Sequence, residues 1–178
     1  MSGGFQWPFG LLKIVMLDTL DIALRLVAAT VIGMIIGTNR DARGRPAGMR
    51  TLGLVALGAA MIAVTSTHLI ALQNQPDALS RTIQGVIQGV MAGIGFLGGG
   101  VLIQKRTTLE IHGMTTAAAI WATAALGITA GLASWPVFLI GAVLTLLLLV
   151  VVHPLEKAVE RWALRHRAKR KSVRRDIE

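Results

Sequence analysis

Five apolar runs of 16 to 22 residues divide this chain, separated by short polar or basic segments. A helix needs roughly 20 apolar residues to cross the hydrocarbon core of a bilayer. Within lipid every backbone N–H and C=O must find a partner in the protein, and a single run of this length can do that only as a helix. The runs fall at about 20–37, 51–72, 85–104, 114–132 and 137–152. The expected fold class is therefore all-α, a polytopic bundle of five transmembrane helices. At 178 residues, 53% of them hydrophobic, the chain has room for one such bundle and no second large domain. Three segments follow. Residues 1–19 form an N-terminal interfacial segment with Phe5, Trp7 and Phe9, residues 20–152 the five-helix domain, and residues 153–178 a basic tail. Residues 11–17 read either as an interfacial turn or as the opening of the first helix.

The charges orient the bundle. Fifteen of the eighteen Lys and Arg lie in the loop after the first span, the loop after the third, and the tail. Five spans put all three on one side, which predicts an outside N-terminus and a cytoplasmic C-terminus. The first basic loop carries Arg40, Arg43, Arg45 and Arg50 against Asp41, and Gly44, Pro46 and Gly48 stop any helix there. The tail places Leu155, Val159 and Trp162 on one face among nine basic residues. It reads as an amphipathic helix on an anionic inner leaflet, in preference to a nucleic-acid arm.

The third run, GVIQGVMAGIGFLGGGVLIQ, is apolar yet holds seven glycines. Each costs roughly 1 kcal/mol against alanine in a helix interior. Either of two features would offset such a cost. Gly85, Gly89 and Gly93 form a row at spacing four that admits a second backbone, and a break at Gly98–Gly100 would line a site. In the fourth run Thr115, Ala119, Thr123, Gly127 and Gly131 repeat the same spacing, and this row is the expected mate of the glycine row. Arg25, Ala29, Gly33 and Gly37 make a third row, expected to face the bundle. Polar groups within the spans are few. Asp21 and Arg25, four apart, are expected to pair. Gln88 lies where an amide needs an interhelical partner. His68 reads as interfacial. The fifth run, nearly all Leu and Val, belongs at the lipid-facing edge.

Chemistry is sparse. No cysteine is present, so disulfides, thiolate metal sites and cysteine catalysis are excluded. No Ser/His/Asp spacing, HExxH or phosphate loop occurs, and the histidines are scattered. The reading is of a protein that is not an enzyme, with no cofactor and no metal site.

The first two spans resemble the next two in plan. Gly48-Met49-Arg50-Thr51 and Gly113-Met114-Thr115-Thr116 each follow a basic loop and open a small-residue helix. A parallel duplication would bring two helix N-termini together beside Arg40 and Arg50, a setting that favours an anion over a cation.

Longer motifs point to a family. Gly93-Ile94-Gly95-Phe96-Leu97-Gly98-Gly99-Gly100-Val101 resembles the GIGFLGAGVI signature of the MgtC/SapB membrane proteins, with Ile87-Gln88-Gly89 before it. His112-Gly113-Met114-Thr115-Thr116-Ala117-Ala118-Ala119-Ile120-Trp121 is similar to the family's GLTTAAxIW. Ala47-Gly48-Met49-Arg50-Thr51 and the segment 54–60 match AGLRT…LVALGAA. The resemblance spans about residues 20–150 and covers the transmembrane domain without the soluble C-terminal domain of longer members. One departure is Asn39, where many members carry a glutamate. The resemblance implies a bacterial inner-membrane protein linked to growth in low magnesium and, in intracellular pathogens, to virulence. In some members it implies inhibition of the F-type ATP synthase. Magnesium or other cation transport is the alternative function. Expected partners are anionic lipid, another inner-membrane complex and a possible second copy of the chain, with no nucleic acid. The candidate functional residues are Asp21, Arg25, Asn39, Arg40, Arg50, Thr51, Gln88, Gly93, Gly95, Phe96, Gly98, Gly100, Thr115, Thr116 and Trp121.

Overall fold

The computed structural model describes residues 9–67, 76–104, 111–132 and 135–152. Its elements are α1 (Phe9–Asp41), α2 (Met49–Thr67), α3 (Pro76–Val101), β1 (Ile103–Gln104), β2 (Ile111–His112), α4 (Met114–Leu132) and α5 (Trp135–Leu147), the last continuing as a π-helix over Leu148–Val152. Among the described residues five stretches are long and apolar enough to cross a membrane: Thr19–Asp41, Met49–Thr67, Pro76–Val101, Met114–Leu132 and Trp135–Val152. The fold is all-α apart from the small antiparallel ladder, in which Ile103 pairs with His112 and Gln104 with Ile111.

Several boundaries differ from expectation. α1 opens at Phe9, so much of the supposed interfacial segment belongs to the first helix. α3 opens at Pro76, because a proline costs nothing in the first turn and Asp77 there complements the helix dipole. The polar turn expected at 73–81 is thus largely the start of a helix. α1 ends where the glycine and proline of its loop require. The Arg45 N–H donates to the Arg40 carbonyl and the Gly44 N–H to that of Asp41, both at 3.0 Å. Gly44 adopts φ 60°, which completes a Schellman cap. Gly113 has φ 95°, and a side chain there would strike the Val101 carbonyl, so only glycine joins the end of α3 to the start of α4.

By compactness the chain divides into two units, residues 1–139 and 140–178. In the first, α2 packs on both α1 and α4. It presents Ala56, Ala59, Ala60 and Ala63, all buried. A side chain on Gly33 of α1 would put its Cβ 2.5 Å from the Leu52 carbonyl oxygen and 2.9 Å from the Ala56 Cβ. One on Gly127 of α4 would meet the Ala56 carbonyl and lie 2.9 Å from the Ala59 Cβ, and one on Gly131 would lie 2.6 Å from the Ala63 Cβ. These are backbone-to-backbone contacts, the packing that holds helices together where lipid removes the hydrophobic drive. The row at Arg25, Ala29, Gly33 and Gly37 faces the bundle as expected, its last three members buried.

The expected pairing of α3 with α4 through their two small-residue rows is overturned. The glycines of the α4 row, Gly127 and Gly131, pack on α2. Around Gly85, Gly89 and Gly93, and around Gly95, Gly99 and Gly100, an added Cβ would meet nothing within 4 Å. Only Gly98 is buried, against Ala117 at 3.5 Å. α2 wins because its alanines match the glycines of both α1 and α4. α3 instead seats larger residues, Val90, Met91 and Ile94, against the cluster of Ala59, Ala124 and Ile128. Nor does α3 break at Gly98–Gly100. It runs unbroken to Val101, since a backbone in an apolar medium has no better partner than its own helix.

The first residues of α5 lie in the first unit, where the rings of Trp135 and Phe138 meet edge to face at 6.0 Å. The described part of the second unit, 140–152, leaves most of its Leu and Val exposed and offers no small-residue stripe. The basic tail and His68 lie outside the described residues, as do Lys105 and Arg106.

Candidate functional site

The candidate residues do not converge on one site. They fall at the two ends of the first span, in the first turns of α2 and α4, along α3, and at Trp121 within α4.

At the C-terminal end of α1, Arg40 is 3% exposed. Its Nε donates to the Pro46 and Ala47 carbonyls, both at 3.2 Å, and its Nη2 to Pro46 O at 2.8 Å. Nη2 also donates to the Thr116 hydroxyl in the first turn of α4. A planar fork with five donors serves this purpose, since one cation reaches two segments at once. Ala47, whose carbonyl it holds, has φ 60°, unusual for a residue with a Cβ. Asp41 points the other way and accepts the Met49 N–H at 2.8 Å, capping α2. The anion site expected between the two helix N-termini is therefore not formed by Arg40. Its guanidinium is spent on carbonyls and a threonine, and a carboxylate already occupies the α2 terminus. Arg50 and Thr51 are exposed, and Arg50 makes no hydrogen bond or ion pair among the described residues.

At the other end of the first span, Asp21 and Arg25 form the expected pair, Nε to Oδ2 2.6 Å. Arg25 also donates through Nη1 to the Ala130 carbonyl of α4 at 2.9 Å and lies 5.5 Å from the Trp135 ring centroid. The arginine thus ties α1 to the end of α4 and the start of α5, a structural role. Both partners of the pair are committed to the fold.

Along α3, Gln88 is exposed, with no hydrogen bond among the described residues. The interhelical partner expected for it is not found among the described residues. Gln88 shares a face with Gly85, Ala92, Gly95 and Gly99, a 3-4-3-4 spacing of small residues whose members are all exposed. Phe96, beside that seam, is 84% exposed. Gly93 turns toward α2 and, with Arg50 and Thr51, lines an open groove of about 500 Å³. Gly100, Thr115 and Trp121 are exposed and Asn39 is half-buried.

Three participants escaped the sequence reading. Asp41 and Trp135 act through contacts made only when the chain folds. Thr123 belonged to the α4 row as a small residue, yet it is fully buried with its Oγ1 lacking a hydrogen-bond partner among the described residues. The two halves of the proposed duplication do begin their second helices alike. Leu52 N–H donates to the Gly48 carbonyl at 3.0 Å and Ala117 N–H to that of Gly113 at 2.9 Å. Each first helix brings a glycine, Gly33 or Gly98, onto that same fourth residue. Among the described residues no three His, Asp or Glu side chains gather as a metal set.

Five spans, an interior of alanine and glycine and an arginine tying its helices together define a multi-pass membrane protein. Residues 26–158 match the MgtC family, and the chain belongs to it. Protein SrpB of Synechococcus elongatus is 43% identical over 145 residues, covering 74% of this chain and 75% of that protein. A protein of Escherichia coli K12 named putative magnesium transporter YhiD is 34% identical over 137 residues, 77% of this chain and 63% of its own length. Protein MgtC of Salmonella typhimurium is 38% identical over 109 residues, 61% of this chain and 42% of that protein. The chain thus spans less than two thirds of the latter two relatives. No solved structure matches.

Proposed function

We propose that this chain is a regulator in the bacterial inner membrane that docks on another membrane complex, is no enzyme, and carries no magnesium flux of its own. The family resemblance names the F-type ATP synthase as the candidate complex and low magnesium or host stress as the setting. The observation that carries the reading is Gln88. It lies near the middle of the 26-residue α3, exposed and without a hydrogen-bond partner among the described residues. An amide facing hydrocarbon unpaired costs about 1–3 kcal/mol on mutational scales. A helix from another protein, seated along Gly85, Gln88, Ala92, Gly95 and Gly99, would satisfy it and cover the glycines. The charge bias supports an outside N-terminus, which puts Arg40 and Arg50 at the cytoplasmic face.

Cation transport is the second reading, favoured by the name of the Escherichia coli relative. Against it stands the path itself. A hard divalent cation is bound through oxygen ligands, with one or two carboxylates. Asp21 is paired with Arg25, Asp41 caps α2, and the buried Arg40 places fixed positive charge at the basic end. The test is co-purification with ATP synthase from bacterial membranes, together with ATP-driven proton pumping in the same vesicles. Wild-type protein is expected to recover the synthase and lower pumping, and Gln88→Leu to lose both effects while still accumulating. Saturable magnesium uptake by the pure protein in liposomes, lost in Asp21→Ala, would overturn the proposal.

A further inference from the structure

A second open surface lies between α2 and α3, beside the Gln88 seam. It is the groove that begins at Arg50 and Thr51 and ends near Ile62. Twelve residues of helix separate those ends, about 18 Å at 1.5 Å per residue. That is close to the depth of one leaflet, about half of a 30 Å hydrocarbon core. Gly58 and Gly93 line it, and an added Cβ at either would meet nothing within 4 Å. The other lining groups are Leu, Val, Ile and Ala side chains. Past Thr51 the groove joins a smaller cavity of about 290 Å³ beside Pro46 and Ala47, sharing Thr51, Val55 and Leu97 with it. Its polar groups therefore sit at one end.

That end is positive. Arg43, Arg45 and Arg50 are exposed there. Asp41, the one acid of the loop, already accepts the Met49 N–H. Arg50, at the mouth, has no partner among the described residues. A slot with a free cation and a hydroxyl at its mouth and a leaflet's depth of apolar wall below is complementary to one molecule type.

We propose that this groove is a binding site for an anionic phospholipid, with one acyl chain along Gly58 and Gly93 and the phosphate at Arg50 and Thr51. A second copy of the chain fits less well. Copies inserted the same way would bring like-charged basic ends together, whereas an anionic headgroup neutralises Arg50. The site is separate from the Gln88 seam, so its failure leaves the docking reading untouched and the reverse also holds.

The test is native mass spectrometry of the full chain in neutral detergent, titrated with phosphatidylglycerol or phosphatidylcholine. Wild-type protein is expected to retain one phosphatidylglycerol with a preference of about fivefold, the order expected for one arginine near an anionic surface. Arg50→Gln is expected to remove most of that preference. The tail is intact in both proteins, so its own attraction to lipid cancels. Gly58→Leu, which fills the slot, is expected to abolish retention of either lipid while helical circular dichroism is unchanged. Should that variant fail to fold, the Arg50→Gln comparison decides. Retention and preference equal to wild type in Arg50→Gln would overturn the site. Displacement of phosphatidylglycerol by inorganic phosphate would overturn the acyl-chain part. A change of oligomeric state in Gly58→Leu with lipid retention intact would assign the groove to a second copy instead.

Discussion

Replacing Arg40 by methionine tests how the basic end of the bundle is held. The substitution keeps an unbranched side chain of similar length, so packing changes little. It removes the donors to Pro46 O, Ala47 O and Thr116 Oγ1. Thr116 is 2% exposed, so its oxygen is left in a dry site at a cost of about 1–3 kcal/mol. Pro46 is exposed and Ala47 half-buried, so water replaces part of what those carbonyls lose and they add about 1 kcal/mol together. The guanidinium no longer has to be desolvated, which returns part of the loss. The net expectation is a destabilisation of about 2–3 kcal/mol. For a chain of this size that corresponds to a melting temperature lower by roughly 4–12 °C. Thermal unfolding in mild detergent, followed by circular dichroism, measures it. Thr116→Val removes one of the same bonds and should cost about 1 kcal/mol. The double variant should cost clearly less than the sum, because both changes delete one contact. An Arg40→Met protein melting within about 2 °C of wild type would refute the view that this cation fastens the loop to α4.

Other outcomes follow from the packing. Gly33→Leu and Gly127→Leu are expected to abolish accumulation in membranes, whereas Gly89→Leu accumulates near wild-type level, because only the first two would drive a side chain into α2; immunoblotting of membrane fractions decides it. Arg25→Lys keeps the charge but cannot reach Asp21, the Ala130 carbonyl and the Trp135 face together, so melting should fall by about 2–4 °C for a loss near 1 kcal/mol. Reporter fusions at Gly44 and Gln75 should report opposite sides of the membrane, with Gly44 cytoplasmic; the same side for both would refute the charge-based orientation.

The number and nature of the spans were legible from the chain because both rest on local properties. A run of about 20 apolar residues is a helix in lipid whatever surrounds it. The Asp21–Arg25 pair was legible for the same reason, as a spacing of four fixes its geometry within one helix. So was the stop at Gly44, which needs only the residues of its own loop. Which helix packs on which was not legible. Rows of small residues on α1, α3 and α4 looked alike, and each could accept a close neighbour. The choice was made by matching surfaces. Ala56, Ala59 and Ala63 of α2 approach Gly33, Gly127 and Gly131 on two sides, and α3 was left with every glycine but Gly98 uncovered. Arg40 shows the same division. Its place in a basic loop suggested an anion site, yet burial turned its donors inward to carbonyls 6 and 7 residues away and to a threonine 76 residues away. Sequence sets which side chains share a helix face. Only the assembled helices decide whether that face meets alanine, lipid or open space, because that depends on the shapes of other segments.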